Sequence, residues 1–355
     1  MSGTSLDGVD AVLVGFEAEN PALLGHAYRS YPPDLKESLL DLHFPSGNET
    51  EKTQLAAIAL SRLYAQCVND LLDKTNSSRE RIAAIGCHGQ TIRHRPESGY
   101  SVQLVNSPLL AELTGITVVS DFRNRDIAAG GQGAPLVPAF HAAVFGSGKN
   151  HRAILNIGGI ANLTDLPKEG PIRGFDCGPG NMLMDAWIAL NLGQSFDKDG
   201  NWASTGKVIP SLLASLLEDD FFGKTPPKST GRDKFNLSWL KSHLDGSEDP
   251  ADVQATLLEL TAKSIADSII RHCPDASEIY LCGGGAHNGR LRRKLEDMLP
   301  GRTCALTDEL GIASNLVEAA AFSWLARQAL NGLPGNLPEV TGAAGKRILG
   351  AIHPG

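Results

Sequence analysis

The chain has 355 residues, 42% of them hydrophobic and 20% charged, and carries a formal net charge of −8. That length exceeds what one small core usually holds and points to two lobes, while the acidic balance and the lack of a dense Lys/Arg run exclude a nucleic-acid backbone as a natural partner but not a small anion held by backbone amides. No apolar run is long enough to span a bilayer, the polar residues 1–10 contain no signal-peptide core, and six scattered cysteines without a CxxC pair argue against a zinc site or disulfide framework and fit a reducing cytoplasm.

The first motif is Gly3-Thr4-Ser5-Leu6-Asp7-Gly8, directly before an apolar run at 10–16 that reads as a strand. Glycine, serine and threonine in such a turn offer amides and hydroxyls to phosphate. Asp7 is a candidate magnesium ligand, acting through water, because magnesium prefers oxygen ligands and keeps several waters. A simple polar turn accounts for these residues equally. A second strand is expected at 25–31 and a long helix at 53–74. A short apolar run at 82–86 then leads into Gly86-Cys87-His88-Gly89-Gln90-Thr91, where His88 is either a site residue or a satisfied structural histidine.

The loop-rich stretch 121–138 is the expected boundary between halves. It holds Asp121-Phe122-Arg123-Asn124-Arg125-Asp126 and Gly130-Gly131-Gln132-Gly133-Ala134-Pro135. Arginines between aspartates are usually surface ion pairs of small worth. Arg125 can also bind a carboxylate through two parallel hydrogen bonds, and so long a glycine-rich run is unusual away from a site.

In the second half, 152–166 places a Gly-Gly turn between two apolar runs and predicts a hairpin. Its Asn156-Ile157-Gly158-Gly159, with Asn162 beyond, lets backbone approach a ligand closely or is an ordinary two-residue turn. Next comes Gly174-Phe175-Asp176-Cys177-Gly178-Pro179-Gly180-Asn181. An aspartate between glycines at a strand end is well placed as a general base. Capping of the following helix is the alternative, a structural role that suits Asp185 better. Pro227-Lys228-Ser229-Thr230-Gly231-Arg232 reads as a polar loop without a mechanistic role.

A helix is expected at 252–273, with Leu258, Ala262, Ile265 and Ile269 on one face. A strand at 278–283 precedes Gly283-Gly284-Gly285-Ala286-His287-Asn288-Gly289 and a basic helix at 290–298. The match to G-x-G-x-x-G is loose and lacks the dinucleotide-binding context, but strand, glycine loop and helix N-terminus make a nucleotide seat. The last helix is expected at 314–331, with Ser314 as N-cap. It carries Glu318 among small apolar residues, either solvated or buried and partnered. Strands alternating with helices imply an α/β fold.

Taken together, GTSLDGVD, GCHGQTIRH, SDFRNRDIAAGGQGAPLVPAFH, LNIGGIANLT, GFDCGPGNMLMDAW, PKSTGRDKFN and LCGGGAHN resemble the anhydro-N-acetylmuramic acid kinases over nearly the whole chain. The resemblance implies two ribonuclease-H-like lobes with an ATP-binding cleft between them, the actin-like ATPase fold. The first lobe is expected at 1–125 with 337–355 and the second at 126–336. A short strand ahead of the 3–8 loop belongs to the family pattern and is expected upstream of Met1 or missing.

By the same resemblance Gly3, Thr4, Ser5, Leu6, Asp7, Gly8, Val9 and Asp10 form a first phosphate loop. Asn156, Gly158 and Gly159 form a second, and Gly283, Gly284 and Gly285 lie near adenosine. Asp176 is the catalytic aspartate, and Arg125 and Glu318 contact substrate; His88 is a substrate-binding candidate from its own motif at a strand end, not from the resemblance. The implied reaction opens 1,6-anhydro-N-acetylmuramic acid with water and phosphorylates O6 from ATP with magnesium, in peptidoglycan recycling. A cytoplasmic homodimer without nucleic-acid or membrane partners is the expected setting. An ordinary kinase for an open-ring hexosamine and a nucleotide-switched binding protein are the alternatives.

Overall fold

A computed structural model of the chain describes residues 1–2, 6, 8–16, 21–44 and 47–355. Gly3, Thr4, Ser5 and Asp7 of the first glycine motif lie outside the described residues. The chain divides into two compact units, Met1–Val144 with Leu316–Gly355, and Phe145–Asn315.

The first unit opens with the antiparallel hairpin β1 (Gly8–Gly15) and β2 (Ala22–Ser30), then α1 (Pro33–Asp41) and the long α2 (Glu49–Thr75). β3 (Ile85–Gly86), β4 (Gln90–Arg95), β5 (Tyr100–Leu104) and α3 (Ser107–Thr114) follow. Asn106 starts α3 by accepting from the Leu109 amide, satisfying an otherwise orphan donor. β6 (Val118–Ser120), α4 (Asn124–Ala128) and α5 (Val137–Phe145) complete this stretch.

The second unit contains β7 (Arg152–Ile157), β8 (Ile160–Leu166), β9 (Arg173–Pro179), α6 (Met182–Leu192), α7 (Pro210–Leu217), α8 (Asp220–Gly223), α9 (Leu237–Lys241), α10 (Pro250–His272), β10 (Glu278–Cys282), α11 (Gly289–Met298) and β11 (Thr303–Leu306). Its sheet has the order β11-β10-β7-β8-β9. β10 runs parallel to β7 and β11, while β7, β8 and β9 form an antiparallel meander. That is the ribonuclease-H-like lobe expected above, and the α/β fold class is borne out. The core beneath it packs Ala153, Leu155 and Ile157 of β7 against Ala262, Ile265 and Ile269 of α10, all fully buried. The 3.6-residue period of α10 is the local cause of that packing, and each large aliphatic buried there contributes about 1.5–3 kcal/mol.

The chain returns to the first unit through α12 (Val317–Leu330), α13 (Pro338–Thr341) and β12 (Ala351–His353), which pairs antiparallel with β6. Two details differ from the sequence reading. α12 begins at Val317 after Leu316, without a side-chain cap. Ser314 instead takes the Asp308 carboxylate on its amide and gives its carbonyl to Gly283. The unit boundaries also fall at 144/145 and 315/316, not at 125/126 and 336/337. The cause is Asp126, fully buried, whose carboxylate accepts from the Gly133 amide, Asn336 Nδ2 and Thr341 Oγ1. Those bonds hold the segment after residue 125 to the C-terminal segment, and the Phe140 ring meets Trp324 at 6.2 Å.

Candidate active site

Asp176 sits on β9, where the register shift between Ala161 and Asn162 sets it opposite Asn162. The 228–230 loop lies against it. The Asp176 amide donates to Lys228 O at 3.0 Å, and the Thr230 amide donates to Asp176 Oδ2 at 2.8 Å. The polar loop without a role in the sequence is therefore the clamp on this carboxylate. No periodicity could have signalled it, because the contact spans more than fifty residues. Lys228 is buried, with Nζ 4.8 Å from the centre of the Phe221 ring, and burial pushes its ammonium pKa down.

Burial raises the Asp176 carboxyl to about 6, against the opposing pull of the Thr230 amide and the Lys228 charge. A carboxylate poised there is ionised at neutral pH and still basic enough to take a proton. The Thr230 hydroxyl beside it is buried, with no hydrogen-bond partner among the described residues. Asp185, in the first turn of α6, is likewise raised to about 6 by burial, with Arg232 pulling it down and Asp197 pushing it up.

Three glycine segments of the same unit meet near the end of this strand. Gly180 and Met182 donate their amides to Gly159 O, and Asn181 donates to Gly158 O. A Cβ at Gly180 would stand 2.3 Å from Gly158 O. Gly283 has a φ of +83° and approaches Asn156 so closely that a Cβ would lie 2.4 Å from its Oδ1. A Cβ at Gly285 would meet Ile157 Cγ2 at 2.3 Å, whereas Gly284 faces open space except for Asn181 Nδ2 at 4.0 Å. Asn156, Gly158, Gly159 and Gly283–Gly285 thus gather at the carboxyl ends of parallel β7 and β10, where open α/β sheets bind ligands. Asp176 lies three residues before Pro179 on β9, about 10 Å along the strand from this cluster.

In the first unit, His88 is buried against Phe322, ring centres 4.5 Å apart. Arg123 directs Nε and Nη2 at His88 Nε2 (3.1 and 2.9 Å) and Nη1 at Gly133 O (2.8 Å). Two donors on Nε2 make it the acceptor and put the ring proton on Nδ1. Burial and then the Arg123 charge hold the ring neutral, well below its usual pKa. Burial also lowers Arg123 to about 10, with the Glu318 charge opposing. The glycine run at 130–133 serves this arrangement. Gly131 passes so near Asp126 that a Cβ would be 2.2 Å from its Oδ2, and Gly133 binds Asp126 and Arg123 at once.

Arg125 is placed elsewhere. Two residues from Arg123 along a helical backbone, it points about 200° away and lines an exposed hollow with Asp121, Asn124 and Ile348. Arg123, not Arg125, accompanies His88 and Glu318, and only the helical phase distinguishes the two. Glu318 is exposed in the first turn of α12. Of the first motif, Leu6 and Val9 are buried, Gly8 begins β1 against Arg29 O, and Asp10 Oδ1 is 2.8 Å from His26 Nε2 on β2.

Comparison with known proteins matches residues 1–355 to the family model described as anhydro-N-acetylmuramic acid kinase. Curated proteins of that name are similar throughout. The one from Nitrosospira multiformis is 58% identical, covering 100% of this chain and 97% of its own. That of Pseudomonas syringae pv. syringae is 53% identical over 100% and 98%. Among solved structures, the activator of 2-hydroxyisocaproyl-CoA dehydratase from Clostridium difficile aligns with a TM-score of 0.43 and 14% identity, over 92% of this chain and 98% of that one. On the full-length match of the family model and of these relatives, the chain belongs to the anhydro-N-acetylmuramic acid kinase family.

Proposed function

We propose that the chain is an ATP-dependent kinase that opens 1,6-anhydro-N-acetylmuramic acid by adding water at C1 and transfers the γ-phosphoryl group to the released O6, giving N-acetylmuramic acid 6-phosphate and ADP in cell-wall recycling. The observation that carries this reading is Asp176, a carboxylate raised to about 6 and clamped at Oδ2 by the Thr230 amide. Fixing one oxygen leaves Oδ1 to take the proton of the attacking water as its oxygen bonds to C1. The C1–O6 bond breaks in the same process, and O6 then attacks the γ-phosphorus.

The close backbone turns at Asn156–Gly159 and Gly283–Gly285 are the proposed cradle for nucleotide phosphates and adenosine. Magnesium, bound with the triphosphate, supplies charge neutralisation. Asp7, outside the described residues, is proposed to reach the ion through water, since magnesium prefers oxygen ligands and keeps several waters. Glu318 is the proposed partner of sugar hydroxyl or amide groups, together with His88 and the Arg123 that orients it.

No helix among the described residues is long and apolar enough to cross a membrane, and the cysteines are free; a cytoplasmic setting and a homodimer complete the proposal. The test is ADP release from ATP and magnesium with either anhydro-N-acetylmuramic acid or N-acetylmuramic acid. The anhydro sugar is expected to be the better acceptor, and Asp176→Asn to abolish its turnover. Preference for the open sugar would replace ring opening with ordinary hydroxyl phosphorylation.

A further inference from the structure

The glycines around the Asn156–Gly159 and Gly283–Gly285 turns fall into two kinds. At Gly180, Gly283 and Gly285 a Cβ would stand 2.3, 2.4 and 2.3 Å from atoms of the protein itself, so packing alone excludes a side chain there. Gly158, Gly159 and Gly284 differ. None of them has a left-handed φ. Beyond its chain neighbours a Cβ would meet a single atom at each, Ile160 O at 3.6 Å, Met182 Cβ at 3.7 Å and Asn181 Nδ2 at 4.0 Å. Alanine fits all three positions by contact and by backbone. Glycine costs chain entropy on folding, and the use left for it at these positions is the close approach of a ligand.

Asn181 stands between these open positions. Its amide donates to Gly158 O at 2.8 Å, and its carbonyl accepts from the Asp185 amide at 2.8 Å. An asparagine before a helix ordinarily turns its side chain onto the first helical amides, yet Asn181 makes no such bond to α6. Its Nδ2 instead donates to Ile157 O at 3.3 Å, and its Oδ1 lies 2.7 Å from where a Cβ of Gly285 would be. The Ile157 carbonyl fixes the orientation of the amide, because Oδ1 in the place of Nδ2 would set two acceptors face to face. A side-chain amide nitrogen carries two hydrogens. One serves Ile157, and the other has no acceptor among the described residues. Asn181 is half-buried, so this hydrogen can be reached from outside, and Nδ2 is the atom nearest the open side of Gly284.

We propose that Asn181 is a nucleotide-contact residue that gives this second hydrogen to a phosphate oxygen seated over Gly158, Gly159 and Gly284. The proposal deepens the nucleotide reading of these turns and rests on it. Three positions without a Cβ let a phosphate group come close to the backbone, and an amide held by Ile157 offers it a fixed donor. Phosphate fits this donor because its ionised oxygens only accept, and a hydrogen bond to an ionised acceptor is among the strong ones. Asp176 lies five residues before Asn181, so the general base and this contact are carried on one short run of chain.

The probe is ADP with magnesium, titrated calorimetrically into the full chain, so the readout does not depend on turnover. Asn181→Ala removes the donor and is expected to weaken ADP binding about tenfold, as loss of a hydrogen bond to a charged group does. Asn181→Asp sets a negative charge against the phosphate and is expected to weaken it roughly tenfold further, with the gap between the two variants narrowing as salt is raised. A role confined to holding the turn gives both variants the same loss at every salt concentration. Gly284→Ala, whose methyl meets no protein atom closer than 4.0 Å beyond its chain neighbours, is expected to melt no lower than wild type. Its ADP binding is expected to be roughly tenfold weaker, because the methyl displaces the phosphate from its donor. Unchanged ADP affinity in Asn181→Ala or Gly284→Ala, equal and salt-independent losses in the two Asn181 variants, or a lowered Tm of Gly284→Ala would overturn the proposal and leave the nucleotide reading standing. A wild-type chain that takes no ADP would overturn both.

Discussion

Replacing Asp176 with asparagine is expected to stop turnover and stabilise the protein at once. The folded carboxyl stands at about 6, against about 3.9 for an unperturbed aspartate, a difference of about 2 units or roughly 3 kcal/mol at about 1.4 kcal/mol per unit. A raised carboxyl pKa means the native state binds protons more tightly than the unfolded chain between about pH 4 and pH 6. Stability therefore falls as pH rises through that window and levels off above it. Partial exposure of the group reduces the effect to about 1–2 kcal/mol.

Asparagine cannot ionise, and its side-chain oxygen still accepts from Thr230. Urea unfolding of wild type and Asp176→Asn at several pH values reads the difference, in which the similar contribution of Asp185 cancels. The variant should be more stable by about 1–2 kcal/mol at pH 7.5, with the gap closing towards pH 4, while kcat falls by roughly 10²–10⁴ for loss of a general base. A variant no more stable than wild type at pH 7.5, or a gap that ignores pH, would refute the burial argument for this carboxylate.

Lys228→Met keeps the stem on Phe221 but removes the charge that pulls Asp176 down; the acid limb of the pH profile of kcat/KM should move upward, with several-fold loss at pH 6 and little at pH 8. Asp126→Asn turns one acceptor edge into a donor facing donors from Gly133, Asn336 and Thr341; denaturant unfolding should show a loss of about 2–4 kcal/mol, and a loss below about 1 kcal/mol would deny Asp126 its role as hub. Gly285→Ala sets a methyl 2.3 Å from Ile157 Cγ2; initial-rate kinetics should give a raised KM for ATP with a smaller change in kcat, and an unchanged KM would place the nucleotide elsewhere.

Much of the fold was legible because it rests on local information. The two apolar runs around Gly158-Gly159 became β7 and β8, and the face of Leu258, Ala262, Ile265 and Ile269 became the buried side of α10. Period and turn chemistry are written within a few residues of themselves, so the α/β class, the glycine motifs and Asp176 as a candidate followed from the chain alone. The family resemblance rested on the same short ordered motifs.

Tertiary structure decided what depends on partners far apart in the chain. It set Thr230 and Lys228 on Asp176, turned Arg123 and not Arg125 toward His88, and tied residue 126 to residues 336 and 341. It also set the pKa of Asp176, because burial is the sum of everything packed around a group and belongs to no window of sequence. A sequence names which side chains carry charge or hydrogen-bond capacity; only the packed chain determines which of them lose water and which neighbour answers the loss.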